Sequence, residues 1–298
     1  MTASPRIGLI GLGNAGGALL EALSAHDSIV VYDRDPARCA ALADVCRNPP
    51  APAASAAELA READVIILSL PTPAASLAVA EEIAPHIGAD AIVIESSTVA
   101  PEDVEALQAL LAPARVIDAP LIGGVHALAE GQAVFLLGAS EDGAGAVGAL
   151  FRRISAETFF LGERGSGMRA KLIANGVAHA VYVVLMEAGA LAAAQDVPLP
   201  VLYRLLERES GLMRPLTHRF GERLRGHDFA GGMSTANARK DSGLILDTAR
   251  ELGVPLFATS AAHSVYELAM REGLENLDYA SIGTLWEKWL GFSFAEGD

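Results

Sequence analysis

The residues best placed to do chemistry lie in GERGSGMRAKLIAN, Gly162 to Asn175, where Lys171 and Asn175 stand one i,i+4 step apart. Glycines at 162, 165 and 167 precede a strongly helical run, so both polar side chains leave one helix face near its start. An amine so placed can take the hydroxyl proton of an alcohol as hydride leaves the neighbouring carbon, and can return it in the reverse direction. Free lysine titrates at about 10.4, so a base working near neutrality needs desolvation or a nearby cation, for which Lys240 is a candidate. Asn175 can orient that base or donate to a substrate without adding charge. As a poor filler of a helix interior, beside Gly176, it calls for a partner. The competing reading of Lys171 is an exposed helix lysine.

Oxidation of an alcohol needs a hydride acceptor, and RIGLIGLGNAGGALLEAL offers a place for one. Gly11, Gly13 and Gly16 hold the G-x-G-x-x-G spacing, after an expected strand and opening an expected helix. The first makes the tight turn, the second admits a pyrophosphate to the backbone, and the third lets helix and sheet approach. Leu12, Asn14 and Ala15 complete this turn, where phosphate charge would meet free amides. Asp33, 22 residues beyond Gly11, can accept from both hydroxyls of an adenosine ribose and repel a 2'-phosphate, which favours NAD. Arg34 and Arg38 leave NADP possible, although Arg38 also reads as a solvated surface residue.

These residues require a particular set of elements. Short apolar runs alternate with helical stretches through the first half, the pattern of a parallel sheet covered by helices. Strands are expected at Arg6 to Ile10, Ile29 to Tyr32, Val65 to Ser69, Ala91 to Glu95, Arg115 to Asp118, Ala133 to Leu137 and Thr158 to Leu161. Helices are expected near 14 to 25, 36 to 46, 74 to 84, 102 to 112 and 142 to 154, with Pro49, Pro50 and Pro52 in a loop. Ligands bind such sheets beyond the carboxyl ends of their strands, which brings in Ser69 to Pro73 with Leu70 and Pro71 against the cofactor, Ser96 to Thr98, and Pro120 to Gly124. Thr98 would stand near the nicotinamide or, like Ser97, cap the next helix.

After residue 162 the alternation gives way to helices: Ser166 to Gln195, roughly 40 Å or more if unbroken, then stretches near 199 to 208, 212 to 218, 234 to 253, 258 to 272 and 281 to 288. The expected fold is therefore α/β, a Rossmann-type parallel-sheet domain over 1–162 followed by an all-α domain over 163–298 that begins with a long interdomain helix. A chain of 298 residues is long enough for both.

A net charge of -15, from 22 basic and 37 acidic residues, argues against a nucleic-acid partner. Glu187 closes the apolar run Ala178 to Met186, so no membrane span is expected. MTASP leads directly into a strand and leaves no room for a signal peptide, so the expected location is cytoplasmic. Cys39 and Cys46 read as reduced thiols, and no metal site is expected.

With these motifs in order, the chain resembles the 3-hydroxyacid dehydrogenase family, also called 3-hydroxyisobutyrate dehydrogenase-related, almost end to end. IGLIGLGNAGGAL is its fingerprint; ESSTVAP, 95 to 101, resembles its Asp-x-Ser-Thr-x-x-Pro element; DAPLIGG, 118 to 124, looks like its substrate-binding Asp-Ala-Pro-Val-Ser-Gly-Gly. The Gly-x-x-Gly-x-Gly-x-x-x-Lys-x-x-x-Asn pattern is complete, and KDS, 240 to 242, resembles Lys-Asp-Leu. The resemblance implies a dehydrogenase of a hydroxy acid in which Lys171 is the acid/base and Asn175 binds substrate. Gly123 and Gly124 would present backbone to a carboxylate, Lys240 would help close the site over the cofactor, and the helical domains would build a homodimer or homotetramer.

Departures bear on the substrate. Ile122 stands where the family has serine, which removes a donor and costs about 1.5 to 3 kcal/mol of acid recognition unless replaced. His126 is a conceivable replacement, though an ordinary helix-side histidine is the simpler reading. Met233, Asn237 and Ser242 depart near Lys240, and this polar shift points to a different, hydroxylated substrate tail. His179 reads as a helix contact and Glu187 as a partner across a packing interface. The rival functions are a dehydrogenase of a polyhydroxylated acid such as threonate, an imine reductase, whose group does not usually hold this Lys-Asn pair, and a non-catalytic dinucleotide-binding protein.

Overall fold

In the computed structural model, residues 5–208 and 212–295 are described; residues 1–4, the lead into the first strand, lie outside them. The chain divides into two compact units, Met1–Gly176 and Val177–Asp298.

In the first unit, β1 (Ile7–Ile10), β2 (Ile29–Tyr32), β3 (Ala51–Pro52), β4 (Val65–Leu68), β5 (Ile92–Glu95) and β6 (Arg115–Asp118) form a parallel sheet in the order β3-β2-β1-β4-β5-β6. Such a sheet is buried on both faces, which is why its strands read as continuous apolar runs. Alternate residues go to opposite cores. Leu9 and Ile67 pack with Leu19 and Leu23 of α1 (Asn14–Ser24), while Ile10 and Ile66 pack with Leu59 of α3 (Ala56–Glu62) and Leu107 of α5 (Pro101–Leu111). Between these helices come α2 (Pro36–Ala43) and α4 (Pro73–Ile83).

The remaining strands form a second sheet in the order β7-β8-β9, from β7 (Leu121–Ile122), β8 (Val134–Leu137) and β9 (Glu157–Phe160), with α6 (Val125–Ala129) and α7 (Glu141–Arg153) between them. The seven expected strands therefore do not share one sheet: five lie in the parallel sheet, and the other two, β8 and β9, pair with each other, β8 also pairing with the unpredicted β7. The proline-rich loop is corrected at one point, because Ala51 and Pro52 pair with Val30 and Val31 as β3. An edge position tolerates the missing proline donor.

Helix α8 (Ser166–Ala194) leaves the first unit and enters the second. By length and composition it is apolar enough to cross a membrane, contrary to the expectation drawn from Glu187. The second unit continues with α9 (Leu199–Leu206), a π-helix over Pro215–Leu224, α10 (Thr235–Glu251), α11 (Phe257–Arg271), a 3-10 turn at Tyr279–Ile282 and α12 (Gly283–Leu290). The π-helix replaces the α-helix expected near 212 to 218. Glu187 caps α11, accepting from Ala258 N at 2.6 Å and from Thr259 N and Oγ1 at 3.1 and 2.9 Å. Burial pushes its carboxyl up, but these bonds more than reverse that and leave it below the usual carboxylate value.

Candidate active site

Parallel register carries one residue from each main strand to the carboxyl edge of the first sheet. Tyr32, Ile10, Leu68, Glu95 and Asp118 form a single row across β2, β1, β4, β5 and β6. The turns that follow them build the site.

After β1, Gly11 has φ +97°, and a Cβ there would lie 2.2 Å from the Ser69 carbonyl oxygen; a Cβ at Gly16 would lie 1.9 Å from the Gly11 oxygen. The fold demands glycine at both. Gly13 differs: its φ is -67°, and the nearest heavy atom to an added Cβ is Arg38 Nη1 at 3.7 Å. That glycine leaves space on the cleft side, as a pyrophosphate resting on the turn requires. No acidic residue occupies the first turn of α1, so its amide end is free to meet phosphate. These residues fit a dinucleotide.

A cleft of about 560 Å³ opens here, lined by Gly11, Gly13, Asn14, Ala15, Gly16, Asp33, Arg34, Arg38, Leu70 and Pro71. Tyr32, Ser69, Ala75, Ala78, Val79 and Glu82 also line it. The last four lie on one face of α4, and their spacing of three and four residues is the signal that would have found them.

Two expected cofactor residues of the first unit are not on this wall, and a third belongs to the second unit. The Leu12 side chain is core, and its N–H donates to Asp33 Oδ2 at 2.7 Å, so it offers no free donor. Thr98 is exposed in the loop after β5 but does not line the cleft. Nor does it cap α5, whose cap is Ala100, with Asp103 reaching back to the Ala100 N–H at 2.8 Å. Lys240 lies on α10 in the second unit, exposed and paired with Asp241 at 2.9 Å.

Asp33 is fixed by its surroundings. Oδ1 accepts from Asp35 N at 2.9 Å, and Arg38 Nη1 stands 3.7 Å from Oδ2. Each carboxylate oxygen has two acceptor positions, so capacity for ribose hydroxyls is retained. Arg38 is exposed, as a solvated surface residue would be, and is also 3.8 Å from Asp35. Ser97 Oγ accepts from Leu70 N at 2.8 Å and Ser96 Oγ donates to Leu68 O at 2.7 Å, so the turns after β4 and β5 are stitched together.

Lys171 and Asn175 are both half-buried on α8. Burial holds the Lys171 amine below its ordinary value. The turn before it is anchored: Arg164 pairs with Glu105 at 3.0 Å and donates to Gln108 Oε1 at 2.8 Å, while Asp118 accepts from Gly165 N and Met168 N. Sequence reading did not single out Asp118, because its role depends on the register of β6. Ile122 ends β7 and is partly exposed; Gly123 and Gly124 follow at φ +134° and +97°, where only glycine is unstrained.

Several side residues are settled by contacts. His126 is exposed, 3.5 Å from Glu130, an ordinary i,i+4 pair. Ser242 is corrected: its hydroxyl donates to Arg239 O and meets His263 Nδ1 at 2.8 Å, a contact between α10 and α11. Asn237 is exposed in the first turn of α10. His179 is exposed rather than packed against a neighbouring helix. Cys39 and Cys46 are free thiols raised by burial, and no metal-binding cluster exists among the described residues.

Residues 6–162 match the NAD-binding domain of 6-phosphogluconate dehydrogenase, and residues 165–286 match the NAD-binding family described from NADP-dependent 3-hydroxyisobutyrate dehydrogenase. The mitochondrial 3-hydroxyisobutyrate dehydrogenase of Drosophila melanogaster is 30% identical over 95% of this chain and 89% of its own length. Mycobacterium tuberculosis 3-hydroxyisobutyrate dehydrogenase, solved with L-serine, is similar at 25% identity and TM-score 0.63 over 95% of this chain and 99% of that one. An imine reductase from Myxococcus stipitatus, solved with NADP+, shares the fold at TM-score 0.85 and 15% identity over 95% of this chain and 100% of its own. Motif, fold and relatives converge: the chain belongs to the 3-hydroxyacid dehydrogenase superfamily of NAD(P)-dependent oxidoreductases.

Proposed function

We propose that this protein oxidises a 3-hydroxy carboxylic acid, with Lys171 as general acid/base and NAD as the preferred acceptor. The observation that carries the reading is a half-buried lysine, depressed by desolvation, one helical turn before Asn175. When bound, the dinucleotide supplies the hydride acceptor. Lys171 holds the proton that the substrate hydroxyl gives up, and Asn175 places that hydroxyl without changing the charge of the site.

NAD is favoured because Asp33 is fixed where a 2'-phosphate would meet it, and because Arg38 is already shared between Asp33 and Asp35. A kcat/KM preference for NADP would refute that part. The substrate is favoured to be small and branched: Ile122 offers an apolar side chain, and His126 is committed to Glu130. The internal use of the Ser242 hydroxyl removes the main support for a polyhydroxylated tail. Imine reduction is the second reading, favoured by the TM-score of 0.85 to an imine reductase.

The test is a panel of 3-hydroxy, aldonic and 2-hydroxy acids followed by NAD reduction, with cyclic imines assayed in the opposite direction. Lys171→Ala is expected to lose at least about 100-fold in turnover while keeping cofactor affinity. Near-wild-type turnover in that variant, or turnover of imines alone, overturns the reading. We also propose a homodimer or homotetramer, supported by the exposed apolar side chains of α8 and α9.

A further inference from the structure

Asp118 closes β6 and is fully buried, yet it does not line the dinucleotide cleft. Both its oxygens are committed to the start of α8: Oδ1 accepts from Gly165 N at 2.7 Å and Oδ2 from Met168 N at 2.8 Å. Its backbone carbonyl accepts from Gly138 N at 2.8 Å, just beyond the end of β8. The neighbouring positions are cut to fit this carboxylate. A Cβ at Gly138 would lie 1.9 Å from Oδ1, and one at Gly167 would lie 2.8 Å from Oδ2 and 2.2 Å from the Leu136 carbonyl oxygen. Two glycines are thus required by one side chain and the helix it holds.

Met168, whose amide is held, is itself fully buried. Lys171 follows it by three residues, so the two share a helix face, about 4.5 Å apart along the axis. The first amides of a helix lack intrahelical acceptors and carry its positive end, so a buried carboxylate both satisfies and neutralises them. Other charges near the helix start are paired or separate: Arg164 with Glu105 at 3.0 Å, Arg169 with Glu163 at 3.8 Å, and Glu95, the register neighbour of Asp118 on β5.

We propose that Asp118 is a positioning residue for Lys171: by clamping the first turn of α8 to the ends of β6 and β8, it fixes where the amine stands and how far it is withdrawn from water. The inference rests on the reading of Lys171 as the acid/base group. Asp118→Asn keeps the shape but turns an NH2 toward one of the two backbone N–H groups, so one bond is lost and two donors are opposed.

The chain has three lysines, Lys171, Lys240 and Lys288, so reductive methylation with 13C-formaldehyde gives a lysine NMR spectrum simple enough to titrate directly. Expected for Asp118→Asn are a 10- to 100-fold fall in kcat, cofactor affinity within about twofold of wild type, and a Lys171 titration moved up toward the ordinary lysine value of about 10.4. A folded variant with wild-type kcat and an unmoved Lys171 titration overturns the proposal. Should Asp118→Asn fail to fold, Asp118→Ser, smaller and free of the opposed amide, is read for the same two results. The lysine titration needs no substrate, so it separates the failures: full turnover in Lys171→Ala would sink the functional reading, while an unmoved titration would sink only the positioning role.

Discussion

Two titratable groups of the first unit, Lys171 on α8 and Glu95 at the end of β5, have their proton equilibria set by burial, and each gives a measurable pH dependence. Desolvation disfavours the charged form of Lys171, so a larger share of the amine is unprotonated at a given pH than on a solvated lysine. In the proposed role of Lys171, oxidation needs that form, so kcat/KM for the alcohol is expected to rise with pH through an inflection below about 10.4. Lys171→Ala should abolish the inflection along with the rate. Glu95 is the opposite case: burial pushes it up to about 7, while the nearby Ser76 hydroxyl and the bond from Ser97 N pull the other way. Its Oε2 and the Ser76 hydroxyl are buried without a partner in hydrogen-bond geometry among the described residues. A carboxyl raised in the folded state holds its proton where the unfolded chain has lost it, so it lowers stability as pH climbs from about 4.5 to about 7. Glu95→Gln removes that dependence. Measured by denaturant titration, its free energy of unfolding should match wild type near pH 4 and exceed it at pH 8, by on the order of 3 kcal/mol. Equal gaps at both pH values would show that Glu95 titrates in the folded chain as it does in the unfolded one. Lys171 and Asn175 were legible in the sequence because their spacing is local to one helix. Glu95 and Asp118 were not, since what each carboxylate faces depends on strand register and on α4 and α8 arriving from elsewhere in the chain.

The three glycines of the turn between β1 and α1 look alike in sequence and are different in the structure. Gly16→Ala drives a methyl into the Gly11 carbonyl and is expected to cost about 1 to 3 kcal/mol of stability. Gly13→Ala has room and an ordinary φ, so its stability should stay within about 0.5 kcal/mol while the cofactor Kd rises at least tenfold. Cofactor affinity unchanged in Gly13→Ala would mean that the pyrophosphate does not approach this turn. The glycine motif announced the turn, but only packing separates the glycines the fold requires from the one that leaves room beside it. A similar boundary runs through the rest of the fold. The five main strands, the helices α1, α2, α4, α5 and α7, and α8 to α12 were readable because apolar period and turn residues agree over enough length. The two-residue strands β3 and β7 and the short helices α3 and α6 carry too little pattern. Pro52 and Ile122 take their strand positions from a neighbour already in place. The π-helix over Pro215–Leu224 has the composition of an ordinary amphipathic helix, and nothing local distinguishes its wider hydrogen bonding.

At the scale of the molecule, α8 poses the sharpest choice. It presents Ile173, Val177, Tyr182 and Met186 at 71%, 62%, 62% and 53% exposure, on a helix apolar enough to span a bilayer. A span is disfavoured by what holds its two ends. Met168 is fully buried in the core of the first unit, and Glu187 is buried as the cap of α11, so the free apolar stretch is residues 172–186. At 1.5 Å per residue that is about 22 Å, short of the roughly 30 Å hydrocarbon layer. Protein is the better cover: exposed apolar faces of this extent mark interfaces, and a second copy would bring the same helix and the exposed Leu199, Tyr203 and Leu205 of α9. A stable dimer buries at least about 1,200 Å² in all, and an obligate one considerably more, so single rim changes would not dissolve it. Charges placed at its centre should. Sedimentation of the full chain without detergent is expected to give a dimer or tetramer, and Val177→Lys combined with Tyr182→Glu to give monomer of lowered thermal stability. A wild-type monomer at micromolar concentration, or wild-type protein that floats with lipid vesicles, would refute the assembly and return α8 to the membrane reading.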